Sequence, residues 1–210
     1  MQMQAVIVEL LAEYQQEPPA QRRQTTTVTG EPIWYMEPDR TRLIAADLQH
    51  HLKAEKRYLN AIDVSVLMHS ALVVVLGRQD GLSARHLALL AVHDWTEAYC
   101  REIPGGLKDL LPEYVEIERR WEESIHRRLG LDPYTDEDHQ IVKKYDLRAL
   151  VAEMAYHGHH RAAIAARAHG FASTSDINTV ICVAKLASQW EIVKNAVLKG
   201  APKALEGVIW

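Results

Sequence analysis

Leu87-Ala88-Leu89-Leu90-Ala91-Val92-His93-Asp94-Trp95-Thr96-Glu97 is the stretch on which the reading of the chain turns. An apolar run that can be buried ends in a His-Asp pair. Burying such a pair is costly unless something neutralises it. A divalent metal ion is the obvious neutraliser. The remaining ligands are then His69 upstream and Asp146 downstream, each on its own expected helix. The spacing predicts a helix over about 84–99, capped by Ser83, that carries His93, Asp94 and Glu97 together.

Working outward, the chain of 210 residues has room for one good-sized core. With 48% hydrophobic and 25% charged residues it has the composition of a globular domain. The net charge of −4 and the scattered Lys and Arg give no basic stripe for a nucleic-acid duplex, so no nucleic-acid partner is expected. Cys100 and Cys182 lie far apart and fit neither a zinc nor a disulfide pattern, which points to a reducing compartment. The N-terminus lacks a basic leader, and no stretch reaches the roughly 18 apolar residues of a membrane span. A cytoplasmic protein without a membrane partner is the expectation.

In chain order, residues 3–15 read as a short helix closed by Pro18-Pro19. Thr25–Met36 reads as a small hairpin or extended arm around Gly30. A helix over about 41–54 follows, opened by Pro38-Asp39, and Lys56–Asn60 is a polar connection. A helix from Asp63 or a near neighbour to about Leu76 is apolar on all sides and therefore buried, with His69 in its middle. Leu107–Leu111 is a helical turn. Pro112 opens a helix that Gly130 stops at Leu129. A helix over about 136–156 carries Asp146, with Ile141, Val142, Leu147, Leu150, Val151 and Met154 on its apolar side. Residues 161–168 are helical up to Gly170, and one long helix over about 176–198 completes an all-α chain. The helical core spans about 29–156 within a single domain over 1–210, and 157–210 is a helical extension serving as core or as a surface for self-association.

His69, His93, Asp94 and Asp146 form the candidate ligand set. Two imidazoles and two carboxylates suit one ion of Mn, Fe, Co, Ni or Zn. Glu97, four residues after His93 and three after Asp94, borders the same helical face and can accept a proton from water activated at the ion. Glu102 is a second candidate catalytic carboxylate, on the leaving-group side. Arg57 and Lys108 are the candidate contacts to a phosphoryl group, which needs fixed positive charge as it is attacked. Trp95, beside Asp94, and Trp34, on the arm, are candidates to line a nucleobase pocket, although each is as readily explained by packing. The cluster His157, His159 and His160 has no carboxylate spaced to join it and reads as an exposed helix end.

These residues resemble those of the HD-domain metal-dependent phosphohydrolases, in particular the 5'-deoxynucleotidase-like subgroup of bacteria and phages. The resemblance is carried by Met68-His69-Ser70, by His93-Asp94-Trp95-Thr96-Glu97-Ala98-Tyr99, by Glu102-Ile103-Pro104-Gly105-Gly106-Leu107-Lys108 and by Lys144-Tyr145-Asp146. It covers about residues 29–154. It implies an HD-type helical bundle, one divalent ion held by His69, His93, Asp94 and Asp146, Glu97 as the principal catalytic carboxylate and Arg57 as a phosphate contact. The chain departs from the pattern at Glu102, where relatives carry Asp, and at Gly105-Gly106, where they carry Ser-Pro.

The implied reaction is hydrolysis of a deoxyribonucleoside 5'-monophosphate to nucleoside and phosphate. The first alternative is removal of phosphates from a deoxynucleoside triphosphate such as dATP, which adjusts nucleotide pools. A non-catalytic nucleotide-binding module is the alternative of another class. A homo-oligomer is expected in each case.

Overall fold

A computed structural model describes residues 25–210. The helix expected over 3–15 lies outside these residues. The rest is all-α apart from one small hairpin. Strands β1 (Thr25–Thr26) and β2 (Pro32–Ile33) pair antiparallel, with Thr25 opposite Ile33. Gly30 turns the chain between them at φ 86°. The hairpin is fastened to helix α1 (Ala45–Ala54) through buried Asp47. That carboxylate accepts from the Thr27 hydroxyl at 2.8 Å, the Thr29 hydroxyl at 2.8 Å and the Thr29 amide at 2.9 Å. Pro38-Asp39-Arg40 form a separate 3-10 turn, so α1 starts later than the expected 41.

Helix α2 (Val66–Gln79) is the centre of the molecule. Every residue from Val66 to Gly77 is buried, as its uniformly apolar sequence requires. Its N-cap is Ser65, whose hydroxyl accepts the Met68 amide at 3.1 Å. Asp63, the expected start, is instead on the surface, paired with Lys56 at 2.5 Å. Around α2 pack α1, α3 (Ala84–Val92), α7 (Asp136–Tyr156), α9 (Thr174–Leu186) and α10 (Gln189–Gly200). Helices α4 (Glu97–Cys100), α5 (Gly105–Lys108) and α6 (Pro112–Leu129) cover one end, with α8 (His160–Ala165) and α11 (Ala204–Gly207) as short closing turns.

Three sequence expectations are corrected. The helix expected over 84–99 breaks after Val92 and resumes at Glu97. Its middle is held by i→i+3 bonds, Glu97 N to Asp94 O at 3.1 Å and Tyr99 N to Thr96 O at 3.0 Å. The helix expected over 176–198 is two helices. Ala187 is extended, and Ser188 caps α10 by accepting the Glu191 amide. On α7 the expected inward residues Val142 and Val151 are buried and Ile141, Leu150 and Met154 half-buried, but Leu147 is 41% exposed, and Tyr145, Ala149 and Glu153 join the inward face. Hydrogen bonds accompany the two polar residues on that face. Tyr145 donates to Asp80 at 2.7 Å, and Glu153 is drawn to His69 on α2.

The C-terminal helices belong to the same core as the rest. Ile177, Val180, Ile181, Trp190, Val193 and Val197 pack into it. Helix α10 lies so close to α3 that a Cβ on Gly200 would overlap the Ala84 carbonyl. The final strand-like residue Ile209 bonds back to both Leu43 and Ala45 at 2.8 Å, tying the C-terminus to the start of α1.

Candidate metal centre

His69 enters the site from the middle of buried α2, where its ring is fully enclosed. Its Nδ1 lies 2.9 Å from Glu153 Oε1 on α7. A carboxylate can only accept, so Nδ1 carries a proton, and in the neutral ring the Nε2 lone pair faces inward. His93 follows the last turn of α3, and its Nδ1 donates to the Leu90 carbonyl at 2.8 Å. In the neutral ring its Nε2 is therefore also the nitrogen that bears the free lone pair. Neither Nε2 has a hydrogen-bond partner, although both are buried. Two buried, unsatisfied lone pairs turned to one point are a cost that a cation removes.

Asp94 completes the group. Its Oδ2 is 3.2 Å from His93 Nε2 and 3.8 Å from His69 Nε2. Donors about 2.1 Å from one ion, at angles of 90–110°, lie about 3.0–3.4 Å apart, so this spacing is close to what a shared ion needs. His69, His93 and Asp94 thus form a group that can bind a metal ion. Asp146 stands beside it, with Oδ1 3.2 Å from His69 Nε2 and Oδ2 accepting from Lys143 at 2.8 Å.

The local backbone explains why adjacent residues can serve one site. Between Val92 and Glu97 the chain is wound more tightly than an α-helix. In a 3-10 turn, residues three apart eclipse, which stacks Glu97 over Asp94. Glu97 is 6% exposed with Oε2 unpartnered. Burial, the Asp94 charge and the neighbouring Glu102 carboxyl hold its pKa well above the ordinary carboxylate range. A cation at the centre would draw it back toward the ionised form.

Arg57 is not a surface charge. It is 8% exposed, and its Nη1 donates to Asp94 Oδ2 at 3.1 Å. Glu102 at 3.9 Å, Asp146 at 4.0 Å and Glu153 at 3.9 Å surround the same guanidinium. Burial works against its charge, but Asp94, Glu153 and Glu102 more than offset that and raise its pKa. Around this ring, burial raises Asp94 and Asp146 while the imidazoles lower them further, leaving both well below the usual carboxylate range. Burial and Arg57 depress His69, yet Glu153 and Asp146 outweigh them and lift it to about 9. In the metal-free chain a proton therefore competes for the place a cation would take.

A cavity of about 320 Å³ opens in front of the group, lined by His93, Asp94, Thr96, Glu97, Lys108, Val115, Glu118, Arg119 and Glu122. Lys108 reaches it from α5, with Nζ held by Glu118 at 2.8 Å. No protein-family model matches the chain. It is 31% identical over 130 residues to a protein of Escherichia coli (strain K12) named "Uncharacterized protein YfdR", a match spanning 60% of this chain and 68% of that one. The chain belongs to the same family as YfdR.

In this YfdR relative, seven of the sequence-selected residues meet at one place: His69, His93, Asp94 and Asp146 with Arg57, Glu97 and Glu102. Lys108 lines the same cavity as His93, Asp94 and Glu97. Trp95 is absent from the wall of this cavity. It is fully buried in the core, because the tightened turn points it away from Asp94 into the helices. Trp34 stays on the hairpin under the Arg40 guanidinium, 3.5 Å from its ring centre, and is absent from the cavity wall. The exposed His157, His159 and His160 lie apart from the site, at and beyond the end of α7. Sequence reasoning missed Glu153. The available signal was its position seven residues, or two helical turns, after Asp146 on an otherwise apolar face, where a carboxylate needs a partner. Among the described residues, no helix is long and apolar enough to cross a membrane.

Proposed function

We propose that the chain is an HD-type metal-dependent phosphohydrolase that releases phosphate from deoxyribonucleoside 5'-monophosphates. The observation that carries this reading is the convergence of His69 Nε2, His93 Nε2 and Asp94 Oδ2 beside the buried Glu97 carboxyl group, whose Oε2 has no partner. Asp146 is the fourth ligand in this account, and the ion is one of Mn, Fe, Co, Ni or Zn. Bound there, such an ion supplies Lewis acidity to the attacking water and to a phosphoryl oxygen. The nucleotide substrate rests on the resemblance to deoxynucleotidases.

The chain's own groups divide the remaining work. Glu97 takes a proton from the water whose oxygen bonds to phosphorus. Arg57 and Lys108 hold phosphoryl oxygens as negative charge accumulates on them. Glu102, whose carboxyl group lies against Glu97, receives that proton from it and delivers it to the nucleoside oxygen as its bond to phosphorus breaks. The cavity wall sets Asp94, Glu97, Glu118 and Glu122 against Lys108 and Arg119. Such a wall opposes the charge of a triphosphate more than that of a monophosphate, which ranks triphosphate hydrolysis second.

The test is a screen for phosphate, pyrophosphate and triphosphate release from deoxy- and ribonucleoside mono-, di- and triphosphates, using chelator-stripped protein reloaded with Mn, Co or Zn. Metal-dependent release from deoxynucleoside monophosphates is expected. Triphosphate release alone would replace the substrate, and binding without turnover of any nucleotide would leave a nucleotide-binding module instead of an enzyme.

A further inference from the structure

Behind His69, on the side away from Asp94, lies a second polar arrangement. Glu153 has no exposed surface. One of its oxygens accepts from His69 Nδ1 at 2.9 Å, and the other accepts from the Tyr58 hydroxyl at 2.6 Å. Burial works against the Glu153 charge, but His69, Arg57 and Tyr58 more than compensate and keep it ionised. Burial and Glu153 raise the Tyr58 phenol, so that it remains a donor. The oxygen that takes the Tyr58 proton also lies 3.9 Å from Arg57 Nε.

Tyr58 sits in an unusual segment. Tyr58, Leu59 and Asn60 all have φ between 52° and 64°. Left-handed backbone is unfavourable for an L-residue, so three in succession need support from tertiary contacts. The support visible here is the Tyr58–Glu153 hydrogen bond together with Arg57 N to Val64 O at 3.0 Å. Leu59, at the tip, is 80% exposed and contributes little burial.

We propose that Glu153 is a positioning residue for the metal centre, with Tyr58 as its brace: one carboxylate fixes the His69 ring with its Nε2 lone pair inward and joins that ligand to the strained turn following Arg57. This rests on the metal-centre reading above. A carboxylate behind a histidine ligand sets its tautomer and strengthens it as a donor, and loss of such support costs about 10–100-fold in metal affinity. Glu153 acts through His69 and touches neither substrate nor ion.

The experiment is Co(II) titration of the chelator-stripped chain against a competing chelator, with the visible absorption of bound Co(II) and the metal-free Tm recorded for each variant. Glu153→Gln keeps the shape and removes the charge. It is expected to weaken Co(II) binding about 10–100-fold and to alter the visible spectrum, while the metal-free protein stays folded. Tyr58→Phe is expected to weaken binding at least about threefold and to add nothing in the Glu153→Gln background, because it acts through the same carboxylate. Unchanged affinity and spectrum in folded Glu153→Gln protein would overturn the proposal. Should that variant not fold, unchanged affinity in Tyr58→Phe would overturn it. Failure of the unsubstituted chain to bind Co(II) would instead overturn the metal-centre reading itself.

Discussion

Arg57 Nη1 donates to Asp94 Oδ2 at 3.1 Å, and that same oxygen faces the Nε2 atoms of both His93 and His69. One carboxylate oxygen thus serves a fixed cation and the candidate ion site. Arg57 in the metal-free chain partly neutralises a ring of four carboxylates, Asp94, Glu102, Asp146 and Glu153.

Removing this guanidinium breaks the buried Arg57–Asp94 ion pair, which costs about 3–5 kcal/mol. Metal-free Arg57→Gln is therefore expected to melt well below the unsubstituted chain. Added Mn or Zn should raise its Tm by more than it raises that of the unsubstituted protein, since the ion replaces the lost charge. Inhibition by inorganic phosphate should weaken in the same variant. Differential scanning fluorimetry across a metal titration checks the first two outcomes.

Glu97→Gln separates binding from chemistry. The substitution keeps the side chain's size next to Asp94 and removes its capacity to take a proton. Metal affinity is expected to change little, and kcat to fall about 10²–10⁴-fold. Full turnover in metal-loaded Glu97→Gln protein would assign proton transfer elsewhere.

His126 gives the fold a specific acid sensitivity away from the site. It is buried on α6 against Tyr134, and burial depresses its pKa to about 4. The unfolded chain takes up the proton near pH 6.5 while the folded chain resists it until about pH 4. Stability is thus fully present above pH 6.5 and declines as pH falls toward 4, by at most about 3 kcal/mol from this group. His126→Gln is expected to show a shallower fall in Tm between pH 7 and pH 4.5.

How much of this was legible depended on whether a local signal existed. Pro112, Gly130 and the Thr135 cap mark the ends of α6 and α7, and those bounds agree with the structure. The break after Val92 has no such mark. No proline or glycine interrupts the chain there, and the change from α to 3-10 winding is a matter of hydrogen-bond register. The break at Ala187 was marked by Ser188 followed three residues later by Glu191, a capping pattern hidden inside a continuous apolar stripe. At the site, His93 and Asp94 were legible as a pair, and His69 as a polar residue in a wholly buried helix. Glu153 was not, because its meaning depends on a partner 84 residues away.

The central claim is that His69, His93 and Asp94 hold one divalent ion. Equilibrium dialysis of chelator-stripped protein against Mn or Zn, with elemental analysis of metal per chain, tests it most directly. The account predicts one ion per chain in the unsubstituted protein and close to none in folded His93→Ala and Asp94→Ala. One ion per chain retained in both variants, or none bound by the folded unsubstituted protein, would contradict it.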